Sequence, residues 1–563
     1  MKPIYLILSI FLLFIFSLKA EEKIYERVYV HTDKDCYIAG EDVHLKFYVI
    51  NKNFKPSILS KVGYLEICDT EKPQMQLKVA LEKGHGAGKI RIPKDIPSGI
   101  YILSAYTRYM RNEGENVFFN KQIAIINANQ QSADNKRFEV LEKYENNHSE
   151  TFFNTEAKEP SNLLITTDEK EYGNRKKVFL SLNNIPENAA DLVISVSRND
   201  TIAHVQKINR HEWLKQVADT YNLSQQWIPE YEGHIITGRV IPESDNDLML
   251  ANISFVGKDI RYIMGQLNHQ KGTVNFYTSE IYGNQQVVTS ATSFFYDDLS
   301  NRIDLVSPFS ESLPEILPVL NIYPNEKQLM DRYIGAQILD KTEKESFGNP
   351  SHAKGYYDFE LVKTYDLDEY TRFESVAETI LEFVNRLQVS RLRGKRIISA
   401  YLEETKLYSQ RTLVLLDGIP IYNHEDILQY NPMYIKTINI YDGRYIFGNM
   451  NYECIVSFIT RDTNLPNFQL NQASQLLDYE CPQLPPAFEL PDYSSEANQN
   501  SRKPDFRHTL YWNPFVEFTS SQPVNLSFYT SDLCGEFKVT VEGITTDGKL
   551  VYGDAYFNVV APK

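Results

Sequence analysis

Cysteine is scarce: five residues in 563, at positions 36, 68, 454, 481 and 534. They are too few and too scattered for a disulfide framework, and no two stand at the CxxC spacing of a metal site. At most Cys36 and Cys68 are candidates to pair, and the rest read as buried single thiols. After residue 20 no apolar run approaches the roughly 20 residues that a membrane-spanning helix needs. Positive charge is also short, with 58 Lys plus Arg against 74 Asp plus Glu and a net charge of −16 spread along the chain. That balance excludes the basic footprint of a nucleic-acid or anionic-membrane binder. Catalytic signatures are missing as well. There is no HExxH or GxSxG, and none of the 11 His stands at metal-ligand spacing with another in a helical setting. GHGAGKI at 84–90 imitates a phosphate loop, but Lys83 stands where the spacing needs Gly and Ile90 where it needs Ser or Thr. It reads as a Gly-rich hairpin turn. The chain therefore reads as no enzyme, with no catalytic, cofactor-binding or metal residue to nominate.

What is present begins with MKPIYLILSIFLLFIFSLKAEEK, in which Lys2 precedes an apolar core and Ala20 precedes two Glu. This pattern predicts a signal peptide over residues 1–20, cut after Ala20. With 42% hydrophobic and 23% charged residues over this length, the rest should form several domains, about three to five. Residues 24–127 alternate apolar and polar positions in short runs such as ERVYVHT and DVHLKFYVI, broken by turns, and read as an antiparallel β-sandwich. A polar stretch at 128–160 reads as a linker. Beyond the linker the chain repeats itself. Thr32, Asp33, Tyr37, Val43 and Leu45 recur at an offset of 135 as Thr167, Asp168, Tyr172, Val178 and Leu180. This repeat predicts a second sandwich at 161–231, ending in a helical segment near 210–221. A third sandwich is expected at 232–325.

The texture changes at Thr371. Ser375 with Glu378 forms a capping box, and Val376, Ile380, Phe383, Val384 and Leu387 recur at helical spacing. An α/β unit is expected at 371–464, followed by a Pro-rich linker at 465–504 and a separate C-terminal sandwich at 505–563. The expected fold class is mainly β: tandem antiparallel β-sandwiches with one inserted α/β domain.

Two resemblances add to this reading. HTDKDCYIAGEDVHLKFYV with DIPSGIYILSAYT resembles the macroglobulin-like domain of bacterial alpha-macroglobulins, matching at Asp33, Lys34, Tyr37, Gly40, Glu41, Val43, Gly99 and Tyr101, with Ala39 where Pro is usual. The C-terminal LYWNPFVEF, VNLSFYTSD and TDGKL are similar to strands of the same family's core. Thioester-bearing members carry Cys-Gly-Glu-Gln, whose Gln carbonyl acylates the Cys. Here the run is Cys534-Gly535-Glu536-Phe537, and Phe537 has no carbonyl to give. No thioester is expected.

The second resemblance covers LVLLDGIPI, NPMYIKTINIYDGRYIFGN and CIVSFITRD, which look like the plug domain of TonB-dependent outer-membrane receptors. It rests on Asp417, Gly418 and Pro420, then Ile435, Ile438, Ile440 and Gly448, then Ile455 and Thr460. Leu416 stands for the commoner Val, the turn differs from the usual Ala-rich one, and no TonB box precedes the helix. A barrel of several hundred residues would come after a receptor plug, whereas about a hundred residues remain here. The resemblance implies a plug without a barrel, in which Asp417, Gly418, Pro420 and Gly448 are structural. Arg444, Tyr445 and Phe447, in a turn expected over 442–449, are the candidate interface, with packing against a neighbouring sandwich as the competing role. The implied protein is an exported interaction scaffold in the periplasm or at the outer membrane of a Gram-negative envelope, with no transmembrane span after signal cleavage. Its implied partner is an outer-membrane barrel or the complex around it. The alternatives are a non-covalent macroglobulin-type peptide or protease binder and a glycan-binding accessory protein, the latter suggested by 37 Tyr.

Overall fold

The computed structural model describes residues 25–127, 137–141, 163–203, 205–206, 213, 224, 226–241, 249–268, 270–293, 302–323, 325–342, 360–447, 450–471, 474–519, 522–547 and 549–561. At 190, 249, 292, 293, 339–342, 447 and 450 only the backbone is described. The expected signal peptide lies outside these residues, as does most of the helical segment near 210–221. Among the described residues the chain is mainly β, in several sheets.

The first sandwich is continuous in sequence. Its strands are Glu26–Thr32, Cys36–Ile38, Asp42–Asn51, Val62–Cys68, Pro73–Ala80, His85–Arg91, Gly99–Thr107 and Phe119–Ile126. Counted in that order, strands 1-3-6 form one sheet and 2-8-7-4-5 the other. Alternation explains the layering: Val28, Val30, Val43, Leu45 and Phe47 enter the core shared with Leu65, Ile67, Leu103 and Ile123. Tyr29, His31, His44, Lys46 and Tyr48 consequently project from the outer face of the three-stranded sheet.

The second sandwich has the same strand order but is not continuous. Leu164–Thr167, Glu171–Tyr172, Lys177–Asn183 and Ala189–Arg198 supply strands 1 to 4. Strands 5 to 8 are Thr509–Asn513, Val524–Tyr529, Gly535–Thr545 and Leu550–Val559, giving the sheets 1-3-6 and 2-8-7-4-5 again. In both copies strand 2 runs parallel to strand 8 and the other pairings are antiparallel. The expectation of a separate C-terminal sandwich is corrected: those strands complete the second sandwich. A period-2 pattern marks a strand without naming its partner, so the division was invisible locally.

The repeated motif has a shared physical basis. In the first copy the Tyr37 hydroxyl donates to Asp33 at 2.9 Å, and the same carboxylate oxygen accepts from His44 N at 3.1 Å. In the second copy Tyr172 donates to Asp168 at 2.5 Å, which accepts from Phe179 N at 2.9 Å. Thr32 and Thr167 each donate to the carbonyl two residues on, at 2.7 Å. Every partner is displaced by the same 135 positions, so the Asp-Tyr pair holds strand 2 against the start of strand 3 in each copy.

Residues 199–508 are therefore an insertion between strands 4 and 5, where the first copy has only residues 69–72. Its mouth is closed by Arg198 N donating to His508 O at 3.0 Å. Around it lies a buried ionic cluster. Arg332, on the helix Glu326–Thr342, bonds Glu41 of the first sandwich at 2.5 Å and lies 3.5 Å from Asp200. Asp200 also meets His508 at 2.8 Å and Arg198 at 3.5 Å. Burial alone would raise the Asp200 carboxyl, but His508, Arg332 and Arg198 hold it below the usual carboxylate range.

Nested inside this insertion is the third sandwich, with sheets built from Ile235–Ile241, Thr273–Tyr277, Gln266–Asn268 and Arg302–Leu305, and from Tyr262–Met264, Met249–Phe255, Asn284–Ser293 and Gln475–Glu480. The α/β unit interrupts it in turn, between Leu305 and Gln475. Its five-stranded mixed sheet runs in the order Leu361–Asp366, Ile435–Phe447, Met450–Thr460, Thr412–Leu416, Ile419–Pro420. Strands Leu387–Leu392, Lys395–Tyr401 and Tyr408–Ser409 and helices Val376–Glu382 and His424–Leu428 complete it.

Three further boundaries differ from those read in the sequence. The α/β unit starts ten residues before 371, with Leu361–Asp366 paired to Ile435–Phe447. The Pro-rich stretch at 465–504 contributes Gln475–Glu480 to the third sandwich, paired to Asn284–Thr289. The linker at 128–160 contains Phe138–Val140, paired in parallel with Leu320–Ile322.

Candidate protein-binding surface

Leu413 to Leu416 are buried, and the strand ends where Asp417 and Gly418 both take positive φ, 46° and 81°. Asp417 is fully buried, and its carboxylate accepts from Thr460 N at 2.7 Å, Thr460 Oγ1 at 2.6 Å and Leu465 N at 2.9 Å. Three donors on one buried carboxylate satisfy it without a cation. Gly418 faces the third sandwich: a Cβ there would sit 3.0 Å from Phe255 O and 3.1 Å from Asp259 O. Gly257 N also donates to Asp417 O at 2.9 Å, so this turn seats the α/β unit on its carrier. Pro420 closes the turn, in the short strand paired back to Leu415 and Leu416. Gly448 lies outside the described residues.

The interface candidates separate on inspection. Ile435–Phe447 continues as a strand through 442–447, with an irregularity between Asp442 and Tyr445, so the turn expected over 442–449 is shorter than that span. Gly443, at φ 141°, accommodates the irregularity. Tyr445 turns inward. Its hydroxyl donates to Asp442 O at 2.8 Å, and its ring packs on a cluster joining Ile260 and Tyr262 of the third sandwich to Leu413, Leu415 and Ile455. Burial pushes its phenol up to about 12. Tyr445 thus makes an internal contact. Arg444 is exposed, and Phe447 is described by its backbone alone.

Sequence reasoning missed the neighbours that extend this surface. Ile446 is 69% exposed and Leu407 is 67% exposed. Glu403 N donates to Asp442 Oδ2 at 2.9 Å, which brings the loop before Tyr408 to the base of the hairpin. Tyr408, also exposed, stacks edgewise on Tyr401 at 5.4 Å and donates to Asn385 O at 3.0 Å. One end of the α/β unit therefore combines Arg444, Ile446, Leu407 and Tyr408, a cation with two aliphatic side chains and an aromatic one. Only their failure to fit the alternation of a buried strand could have marked them in advance.

A second cluster looks catalytic and is not placed to act. His234 Nδ1 lies 2.9 Å from Glu230, its Nε2 lies 2.7 Å from the Tyr479 hydroxyl, and Tyr64 donates to Glu230 at 2.9 Å. The His234 and Glu230 side chains are 1% and 0% exposed, so no substrate reaches them. Burial lowers the imidazole's affinity for a proton despite Glu230. Since Tyr64 belongs to the first sandwich and His234 to the third, the cluster fixes one on the other. Cys534 stands immediately before the strand Gly535–Thr545, and Phe537 is wholly buried there, 5.6 Å from the Phe557 ring. Among the described residues no group of three or more His, Cys, Asp or Glu could hold a metal ion, and no helix is long and apolar enough to cross a membrane.

No family model matches the chain, and no curated protein matches it. Solved structures align over most of it at low identity. Escherichia coli alpha-2-macroglobulin activated by porcine elastase is 8% identical, with 96% of this chain and 44% of that one covered and a TM-score of 0.25. Salmonella alpha-2-macroglobulin reacted with methylamine is 9% identical, covering 95% and 40% at a TM-score of 0.23. The Yersinia pseudotuberculosis adhesin InvE is 11% identical, covering 51% and 63% at a TM-score of 0.14. The chain spans less than half the length of these two alpha-2-macroglobulins.

Proposed function

We propose that the chain is a non-catalytic, exported envelope scaffold whose nested sandwiches present the α/β unit to a protein partner. The partner class suggested by the plug-like residues Asp417, Gly418 and Pro420 is an outer-membrane barrel or its complex. One observation carries the reading: the α/β unit is clamped at Gly418 and around Tyr445 to the third sandwich, while Ile446, on the opposite face of the same hairpin strand, and Leu407 stay exposed. Clamping limits the entropy lost on binding, and the exposed Arg444 and Tyr408 are of the residue types enriched among interface anchors. The leader at residues 1–20 supplies the route to the envelope.

The test is cross-linking and co-purification from envelopes with the double variant Arg444→Ala, Ile446→Ser. Loss of a co-purifying barrel with an unchanged melting temperature supports the proposal. Capture of proteases instead favours the peptide-binding alternative. A lowered melting temperature makes these residues internal contacts and removes the surface.

A further inference from the structure

The two ends of the three-stranded sheet in the α/β unit differ in charge. One end carries Tyr401 and Tyr408, beside the candidate protein-binding surface. At the other, the strands Leu387–Leu392 and Lys395–Tyr401 meet in a two-residue turn, and four of the six residues from Arg391 to Arg396 are Arg or Lys, with no Asp or Glu among them. The chain as a whole stands at −16. Arg391, Leu392, Arg393, Gly394 and Lys395 are all exposed.

This tip holds its cations at a cost to its own stability. Arg393 and Gly394 take φ of 48° and 83°, the left-handed pair of a tight hairpin turn, whose first position favours Asn, Asp or Gly over Arg. Arg391 stands directly opposite Arg396, and like charges so placed repel. Arg396 has a counter-charge, since its Nε donates to Glu425 at 2.8 Å. Among the described residues neither Arg391 nor Arg393 meets a carboxylate. Behind the tip the hairpin is fixed, because Ile398 N donates to His424 Nδ1 at 2.9 Å and the Ser390 and Ser399 hydroxyls bond at 2.7 Å. The tip also shows an apolar side chain. Leu392, 44% exposed, lies between Arg391 and Arg393 and opposite Lys395.

We infer that this hairpin tip docks on the phosphate headgroups of an anionic lipid surface. Charge complementarity argues for the phosphate: Arg forks match its oxygens two at a time, and an anion between Arg391 and Arg396 removes their repulsion. Leu392 argues for a lipid over a soluble anion or an acidic peptide, because an apolar side chain flanked by cations is covered at the boundary between headgroups and acyl chains. The net charge excludes a basic footprint spread over the chain, whereas this one is confined to a single tip. Acids of the chain that lie more than about 8 Å away are largely screened from it at physiological salt. The tip is separate from the protein-binding surface, which occupies the opposite end of the same sheet.

The experiment measures co-sedimentation of the full chain with vesicles of mixed phosphatidylglycerol and phosphatidylcholine, and with vesicles of phosphatidylcholine alone. Any contribution of residues 1–20 is common to every variant. The expected result is binding to the anionic vesicles that weakens as salt rises. Arg391→Gln with Arg393→Asn should weaken it about thirtyfold, the change expected when two cations worth about 1 kcal/mol each at an anionic surface are removed. Leu392→Ser should weaken it by a smaller factor. The double variant should melt no lower than the parent, since Asn suits the turn and the repulsion is gone. Equal binding by the double variant, equal binding to both vesicles, or full displacement by inorganic phosphate would overturn the inference. An unchanged affinity with Leu392→Ser would do the same, by removing the argument for lipid. So would tighter binding of polyglutamate than of the vesicles, which would make the tip a contact for an acidic protein, or a lowered melting temperature of the double variant, which would make these Arg internal supports.

Discussion

The first and second sandwiches share eight strands, one strand order and one Asp-Tyr clasp, yet the first is continuous and the second is divided by residues 199–508. Their strand 4 to strand 5 turns explain how this is tolerated. In the first copy residues 69–72 bridge the two strands, and Asp69 N donates to Lys72 O at 3.3 Å. In the second the same two ends stay together, because Arg198 and His508 remain hydrogen-bonded. A folded insertion whose own ends meet adds little chain-closure cost, since that cost grows only with the logarithm of loop length. The charge cluster then fixes the insertion's angle, a task the short turn never faces. The clasps differ too. Asp33 is 4% exposed and accepts an additional bond from Thr509 Oγ1 at 2.6 Å, tying the first copy to strand 5 of the second. Asp168 serves its own copy.

The largest expected effect falls on the mouth of the divided copy and on Glu41 of the first, which share Arg332. Arg332→Met strands Glu41 and Asp200 in a buried site, where removing one partner of an ion cluster costs about 3–5 kcal/mol. Hydrogen exchange should speed at Thr509–Asn513, while Pro73–Ala80, the equivalent strand of the first copy, stays protected. Equal loss in both strands would refute a cluster that serves the insertion's mouth. Next, Gly418→Val should cost about 1–3 kcal/mol through backbone strain at positive φ and its close approach to Phe255 O. Its effect should stay within the α/β unit and the third sandwich, leaving exchange in the first two sandwiches unchanged.

A smaller effect sharpens the comparison of the clasps. Asp33→Ala takes the acceptor from His44 N and Thr509 Oγ1, while Tyr37 keeps Lys34 O at 2.9 Å, and should cost about 2–3 kcal/mol in urea melts, against about 1 for Asp168→Ala. Equal values would mean that the link to Thr509 contributes nothing. The smallest effect is pH-dependent. Burial lowers the affinity of His508 for a proton, despite Asp200, so the unfolded chain binds more protons there. Its contribution is complete above about pH 6.5 and is lost as pH falls below that value. Stability should decline by at most about 1.4 kcal/mol per pH unit from this group. His508→Gln should reduce the fall of the urea midpoint between about pH 6.5 and 5 without abolishing it, because burial also lowers the proton affinity of His44, His234 and His424, and should leave the decline at lower pH, where depressed Glu41 and Asp200 are protonated.

Local pattern was enough to read the strands of the first sandwich, the repeat at offset 135, and the Ser375 cap, in which Glu378 N donates to Ser375 Oγ at 3.3 Å while the Glu378 carboxylate accepts from Glu374 N at 3.2 Å instead of closing the box on Ser375 N. The helix stops at Glu382, short of the periodicity, and Val384 and Leu387 reach the core from the turn and strand beyond it. Nesting was not legible. Val178 pairs with Phe528 and Val288 with Leu476, and nothing in QLLDYE or VNLSFY distinguishes a partner hundreds of residues away from one nearby. At the candidate surface, aromatic content nominated Tyr445 although its ring faces the third sandwich. Ile446, one residue on, points the other way by strand alternation. The charge cluster at the mouth escaped notice because Glu41, Asp200, Arg332 and His508 are drawn from four separated segments.

The joined second sandwich is tested most directly by a disulfide across its seam. Ser181 and Asn525 are cross-strand partners whose side chains touch at the surface. With Ser181→Cys and Asn525→Cys in the full chain, mild oxidation should link the two peptides within one molecule, seen by mass spectrometry, and leave the melting temperature no lower. Failure to form the intramolecular link, or a link only between molecules, would contradict a sandwich assembled from both ends of the chain.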